Sequence, residues 1–275
     1  MIKEKDWIEN SKIILPNNET VFAVGDVHGD YVLLKELVEH VEQNHNPDIK
    51  ISVGDIIDRG PDSLKCVKFV HDNFDVFLPG NHEVLLIGTI FGLDGYAECF
   101  FSNGGNWFYE EFKKYETSGL NIIQISEEIF GKEVFDWFVQ YGKLTPTSLY
   151  NPEIYFEIGN LLFVHGGVSP SVKIEDWVKT KNVFNFDDKN PLWIRDEFLN
   201  WKKEYDSNKI VIHGHSFEHF VTHLPTEKFK SGKWPYGHTE IDGFRIGLDT
   251  GAFTTGVLTG ILLQDGRYKV INNWR

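Results

Sequence analysis

VFAVGDVHGD at 21–30, ISVGDIIDRGPDS at 51–63 and VFLPGNHE at 76–83 decide the fold. Each segment opens on a short apolar run and breaks into a polar loop that carries glycine. Such a run, bounded by turn residues, predicts a buried strand. After the first, Asp30 can cap a helix whose apolar residues Leu33, Leu34, Leu37, Val38 and Val41 recur at helical spacing and fade at Asn44, before Pro47. After the second, Pro61 and Asp62 can open a helix with Leu64, Val67 and Val70 on one face. Strand, polar loop and helix repeat, which predicts an α/β layout with parallel strands. In such sheets function sits outside the carboxyl ends of the strands, where each polar loop falls.

Residues 89–150 are rich in aromatics, among them Phe100, Phe101, Trp107, Phe108, Tyr109, Trp137 and Phe138. Helices are expected near 107–117 and 126–141. We read this stretch as a helical, cap-like insertion over the mouth of the sheet, within a single domain of residues 1–275. Most of its rings are expected to pack, and a few to line a pocket. Strand character returns from Ile154. Leu161 to Val164 leads into His165-Gly166-Gly167, and Ile210 to Ile212 into His213-Gly214-His215. FRIGLDTGAFTTGVLTGILL at 244–263 reads as strand, glycine-rich turn, strand. Phe217 to Asp242, with Pro225 and Pro235, reads as an irregular loop.

The chain has 275 residues and a net charge of −14. No basic stripe is present, which argues against general nucleic-acid binding and against docking on anionic membranes. An anionic substrate would be repelled at long range, so a local positive source is needed. Cys66 and Cys99 form no CxxC pair and read as buried free thiols. The polar start MIKEKDWIEN is no signal peptide, and no run of 18 apolar residues exists, so the expected compartment is the cytoplasm.

Five polar clusters follow apolar runs: GDVHGD at 25–30, GDIIDRGPDS at 54–63, GNHE at 80–83, HGG at 165–167 and HGHS at 213–216. One Asp-x-His alone is ordinarily a solvated pair. Five clusters in this order, at strand ends, read as metal ligands. Carboxylate, imidazole and amide oxygen without thiolate suit Mn²⁺, Fe or Zn²⁺. The donors are too many for one ion. Two ions about 3.5–4 Å apart, sharing a carboxylate, would use them. Gly25, Gly54 and Gly80 stand just before the ligands, where a strand turns sharply.

GDVHGD, GDIIDRG, GNHE, HGGVSP, HGHS and LDTGAFTTGVLT resemble the calcineurin-like metallophosphoesterase superfamily, and within it the bacterial and phage branch of the phosphoprotein phosphatase family. The resemblance covers most of residues 21–260. It implies a four-layer fold, a central β-sandwich of mixed sheets flanked by helices. It implies a cofactor of two divalent ions, Mn²⁺ first, with Fe, Zn or Ni as alternatives. Asp26 and His28 would bind the first ion, Asp55 would bridge, and Asn81, His165 and His215 would bind the second, with His213 as the competing candidate. His82, oriented by Asp58, would protonate the leaving oxygen. Arg59, Arg195 and Asn81 would hold the phosphate. For Arg195, in PLWIRDEF, the plain alternative is a surface arginine paired with Asp196 or Glu197.

The implied reaction is attack on phosphorus by a metal-activated water. Two substrate readings share this core: phosphoserine, phosphothreonine or phosphotyrosine in proteins, and symmetrical dinucleoside tetraphosphates or other small phosphorylated or nucleotide substrates. Trp107, Tyr109 or Trp234 could stack on a base. A metal-binding module without catalysis is a third class, but every ligand and the acid are present in the sequence.

Overall fold

The computed structural model describes residues 1–141, 154–177, 189–201, 208–217 and 244–275. The loop expected over 217–242, the end of the insertion and Trp234 therefore lie largely or wholly outside the described residues.

The expected repeat is present. β3 (Val21–Val24) leads to α1 (Tyr31–Asn44), β4 (Ile49–Ser52) to α2 (Ser63–Asn73), and β5 (Val76–Phe77) to α3 (Asn81–Ile90). Asp30 caps α1 by accepting from the Leu33 N–H at 3.3 Å. α3 was not foreseen. The GNHE cluster is the first turn of a helix rather than a loop, with Asn81 as its first residue.

β3, β4 and β5 are parallel neighbours. β10 (Val257–Gln264) joins β3 antiparallel and pairs with β11 (Arg267–Trp274). The edge strands β1 (Ile2–Glu4) and β2 (Ile8–Glu9) also pair with β11. A second sheet takes the order β6-β7-β8-β9: β6 (Tyr155–Ile158), β7 (Leu161–Val164), β8 (Ile210–His213) and β9 (Arg245–Gly247). Its last three strands are parallel.

Strand alternation explains the layering, because successive side chains face opposite sides. In β3, Val21 and Ala23 join an inner core with Ile51, Phe163, Ile212, Ile246 and Ile261, drawn from both sheets. Phe22 and Val24 face the other way, into the core beneath α1, α2 and the insertion. The outer face of the second sheet buries Leu162, Val164 and Val211 under α8 (Ile174–Trp177) and α9 (Asp196–Leu199). Helices, sheet, sheet and helices give the four layers.

The insertion comprises α4 (Tyr96–Ser102), α5 (Asn106–Phe112), α6 (Ile122–Phe130) and α7 (Lys132–Tyr141). The helix expected over 126–141 is two helices, because Gly131 between them takes φ 84°. Most rings pack as expected: Phe77 stacks on Trp137 at 5.1 Å, and Phe130 on Phe138 at 5.4 Å. Tyr109 is exposed. Both cysteines are free thiols; Cys66 is buried, but Cys99 is only half-buried, contrary to expectation. No helix among the described residues is long and apolar enough to cross a membrane.

Phe163 is fully buried between the sheets. Phe163→Ala is expected to lower the unfolding free energy by about 3–5 kcal/mol, read as a reduced midpoint in urea denaturation.

Candidate active site

The loops after β3 and β4, the start of α3 and the loops after β7 and β8 converge at one end of the sandwich. They bring together Asp26, His28, Asp55, Asp58, Asn81, His82, His165 and His215, all buried. Asp55 stands at the centre. Its Oδ2 lies 3.9 Å from His28 Nε2, 4.0 Å from His82 Nε2 and 3.4 Å from His165 Nε2. Its Oδ1 accepts from the His82 N–H at 3.0 Å. Two sets of donor atoms lie within 4.8 Å of one another: His28, Asp55 and His82, and Asp55, His165 and His215. Asp55 belongs to both.

The other expected residues sit around this pair of groups. Asn81 Oδ1 is 3.0 Å from His165 Nε2. Both oxygens of Asp26 accept from the His215 N–H at 3.1 Å. Asp26 falls in neither tight group, and His82 stands beside His28 in its place. His82 Nδ1 lies 2.7 Å from Asp58 Oδ2. Arg59 reaches His28 Nε2 at 2.8 Å and His82 Nε2 at 3.1 Å. The Arg195 Nε–H donates to His215 Nε2 at 3.0 Å, so Arg195 is no isolated surface residue. His213 turns away, its ring 4.9 Å from that of Phe198 in the outer core.

The loops are tightly wound. His28, Asp55, Asp58, Arg59 and His215 all have left-handed backbones, with φ between 48° and 71°. For residues other than glycine this costs on the order of 1 kcal/mol each, and such residues gather at functional sites. Glycine is needed where backbones nearly touch. Gly54 takes φ 100°, and a Cβ on Gly80 would lie 2.1 Å from Asp55 Oδ1.

Three supporting contacts were not read from sequence, which offered Trp107 only as a packing ring or a surface for a base. Glu83, fully buried, accepts from the N–H groups of Asp55 (2.8 Å), Ile56 (2.9 Å), Ile57 (3.3 Å) and Gly80 (2.7 Å), which ties the Asp55 loop to the start of α3. Its place three residues after Gly80, at a helix start, was a usable signal. The Trp107 indole N–H, from the insertion, donates to Asp58 Oδ1 at 2.6 Å. Asp249 accepts from the Gly251 and Phe217 N–H groups and lies close enough to Asp26 to perturb it. Nothing in the local sequence announces the last two contacts.

The electrostatics follow from burial. Burial pushes the Asp26 carboxyl well up, helped by Asp249 and Asp55. Burial opposes ionisation of Asp55 as well, but His165, His82 and His28 outweigh it and hold that carboxyl well below its usual range. Burial and Asp55 push Glu83 up to about 7. Burial, with His82 next, takes His28 down to about 3. Burial, His165 and Arg195 hold His215 well below its ordinary value. Burial also disfavours charge on His165, yet Asp55 and Asp26 raise it to about 9. His82 is raised likewise, Asp55 and Asp58 overcoming burial.

This donor set fits metal ions. His28 and His215 are neutral imidazoles whose Nε2 atoms are met by guanidinium groups, the positive partners at hand. His165 gains its proton because buried carboxylates face it. Carboxylate oxygen, imidazole nitrogen and one amide oxygen converge, with no thiol among them.

The family model for calcineurin-like phosphoesterases matches residues 19–253. The chain belongs to this family. The family works with a dinuclear metal centre. Among curated relatives, serine/threonine-protein phosphatase 1 of Salmonella typhimurium is 33% identical over 97 residues, 35% of this chain and 44% of that protein. Symmetrical bis(5'-nucleosyl)-tetraphosphatase of Legionella pneumophila is 32% identical over 156 residues, 54% of this chain and 45% of that protein. The chain thus spans under half the length of these relatives. A solved metallophosphoesterase from Sphaerobacter thermophilus aligns with 94% of this chain and 90% of its own at 15% identity, with a TM-score of 0.47.

Trp107→Phe keeps the ring and removes the donor to Asp58. If Trp107 positions the Asp58–His82 pair, kcat on a phosphate ester should fall about tenfold with KM little changed, the cost of a hydrogen bond to a charged group. An unchanged kcat would show that the contact only packs.

Proposed function

We propose that this chain is a dinuclear-metal-dependent phosphatase that hydrolyses phosphate monoesters, chiefly phosphoserine and phosphothreonine in proteins, with phosphotyrosine as a further substrate. The observation that supports it best is the single oxygen of Asp55 shared among His28, His82 and His165 at 3.4–4.0 Å. In this reading Asp26 and His28 hold one ion, Asn81, His165 and His215 the other, and Asp55 both; His213 takes no part. Mn²⁺ is the first choice, with Fe, Zn and Ni as alternatives. When bound, two such ions supply Lewis-acid stabilisation of phosphate charge and lower the pKa of water.

The chain's own residues do the rest. Arg59 and Arg195 leave the imidazoles and take phosphate oxygens, for which a planar fork of donors is suited. The Asn81 amide helps to hold the phosphate. His82 delivers a proton from Nε2 to the leaving oxygen, while Asp58 Oδ2 at Nδ1 fixes the ring. Asp58 is itself held by Trp107 and by the Ser63 hydroxyl, which accepts from the Asp58 N–H at 2.9 Å. Neither thiol serves as nucleophile: burial pushes Cys66 well up, and Cys99 upward too. We take residues 1–275 as one phosphoesterase domain, its insertion at about 89–150 acting as a cap.

Beside Arg59 lies a cleft of about 590 Å³ lined by Ser102, Asn103, Asn106, Trp107 and Phe253. Its amides and hydroxyl suit the backbone of a peptide flanking the phosphorylated side chain. A second reading, hydrolysis of symmetrical dinucleoside tetraphosphates, is favoured by the Phe253 ring, 46% exposed at the cleft and free to stack on a base. With Mn²⁺ fixed, kcat/KM should be at least about tenfold higher for phosphoserine and phosphothreonine peptides than for diadenosine tetraphosphate. The reverse ratio would assign the nucleotide reading. Chelation should abolish both activities, and activity that survived it would overturn the metal-dependent reaction.

A further inference from the structure

A second cluster of metal-ligating side chains lies at the far end of α1, apart from the residues above. Glu4, the last residue of the edge strand β1, places Oε1 2.5 Å from His40 Nε2 and 2.8 Å from His45 Nε2. The three donor atoms lie within 4.8 Å of one another. They are brought together from 36 and 41 residues apart in the chain.

We propose that Glu4, His40 and His45 form a peripheral site for a borderline-soft divalent cation of the Zn²⁺ type, which clips β1 to α1. Two imidazoles and one carboxylate, with water as the fourth ligand, are a donor set that Zn²⁺ accepts. The surroundings leave the right atoms available. Lys269 Nζ donates to Glu4 Oε2 at 3.0 Å, so Oε1 is the oxygen left for an ion. The Asn44 side chain lies 3.3 Å from His40 Nδ1 and steadies that ring, leaving Nε2 as its ligand atom. Second contacts of this kind orient metal ligands.

His45 follows the last residue of α1, where the helix carbonyls carry partial negative charge and favour a cation. Lys269 opposes a second positive charge, and the Glu4 carboxylate between them offsets it. Ligand atoms around tetrahedral Zn²⁺ stand about 3.3 Å apart, so Glu4 must withdraw by roughly half an ångström or more. The side chains are 24%, 28% and 15% exposed for Glu4, His40 and His45, which gives room for that shift and for the water. Without an ion, the same contacts would be plain His–Glu hydrogen bonds. Metal uptake separates the two cases.

The test uses the full chain and Zn²⁺ alone as probe. Wild type, Glu4→Gln, His40→Gln and His45→Gln are equilibrated with buffered free Zn²⁺, and bound zinc is measured by elemental analysis, with circular dichroism as the check on folding. All four keep the Asp55 centre intact, so zinc held there subtracts out. Each variant should hold one equivalent fewer than wild type, and Zn²⁺ should raise the wild-type Tm more than theirs. Equal zinc content in all four would overturn the proposal. As a second measurement, Co²⁺ should give tetrahedral visible bands in the wild-type-minus-His45→Gln difference spectrum. Their absence would also overturn it. Neither result depends on the phosphatase reading.

Discussion

Everything at the mouth of the sandwich depends on placing the Asp55 carboxylate where water cannot solvate it and positive charge must. A buried anion without partners is costly enough that it would take up a proton instead. Asp55 stays ionised because three imidazoles face one of its oxygens and a backbone N–H holds the other. Burial pushes the carboxyls of Asp26, Asp249 and Glu83 upward, and the charge on Asp55 adds to it. The result is a pocket of buried oxygen and imidazole donors gathered around one ionised carboxylate. Such a pocket selects cations whatever the sign of the chain as a whole. It also answers the problem that a net charge of −14 sets for an anionic substrate.

Holding that arrangement takes support from elsewhere. Five residues gathered at this mouth keep left-handed backbones, a strain that persists only where the surroundings over-determine it. Glu83 provides much of that constraint through four backbone hydrogen bonds that join the Asp55 loop to α3. The inner core fixes the two sheets against each other, so loops from both meet at one end. The insertion contributes through Trp107, which links the packing of its rings to the orientation of Asp58 and hence of His82.

Much of this was legible in the sequence, because each polar cluster follows a short apolar run and the helices between them keep their period. The four layers and the meeting of the five polar clusters agree with that reading. What stayed hidden has physical reasons. α3 begins inside a motif rich in polar ligands, which masks its helical start. Gly131 breaks a continuous apolar pattern into two helices. His213 and His215 would share a side by strand alternation, but the left-handed backbone at His215 breaks that parity and sends the two rings apart. Trp107 meets Asp58, and Glu4 meets His40 and His45, only through long-range folding, which no local pattern encodes.

The central claim is that one carboxylate is shared between two cation positions. Electron paramagnetic resonance of the Mn²⁺-loaded protein tests it most directly, since two ions bridged by one ligand couple magnetically. The account predicts an exchange-coupled pair spectrum in the wild type that collapses to isolated Mn²⁺ or is lost in Asp55→Asn. A wild-type spectrum of isolated ions only, or a coupled pair that survives in Asp55→Asn, would contradict it.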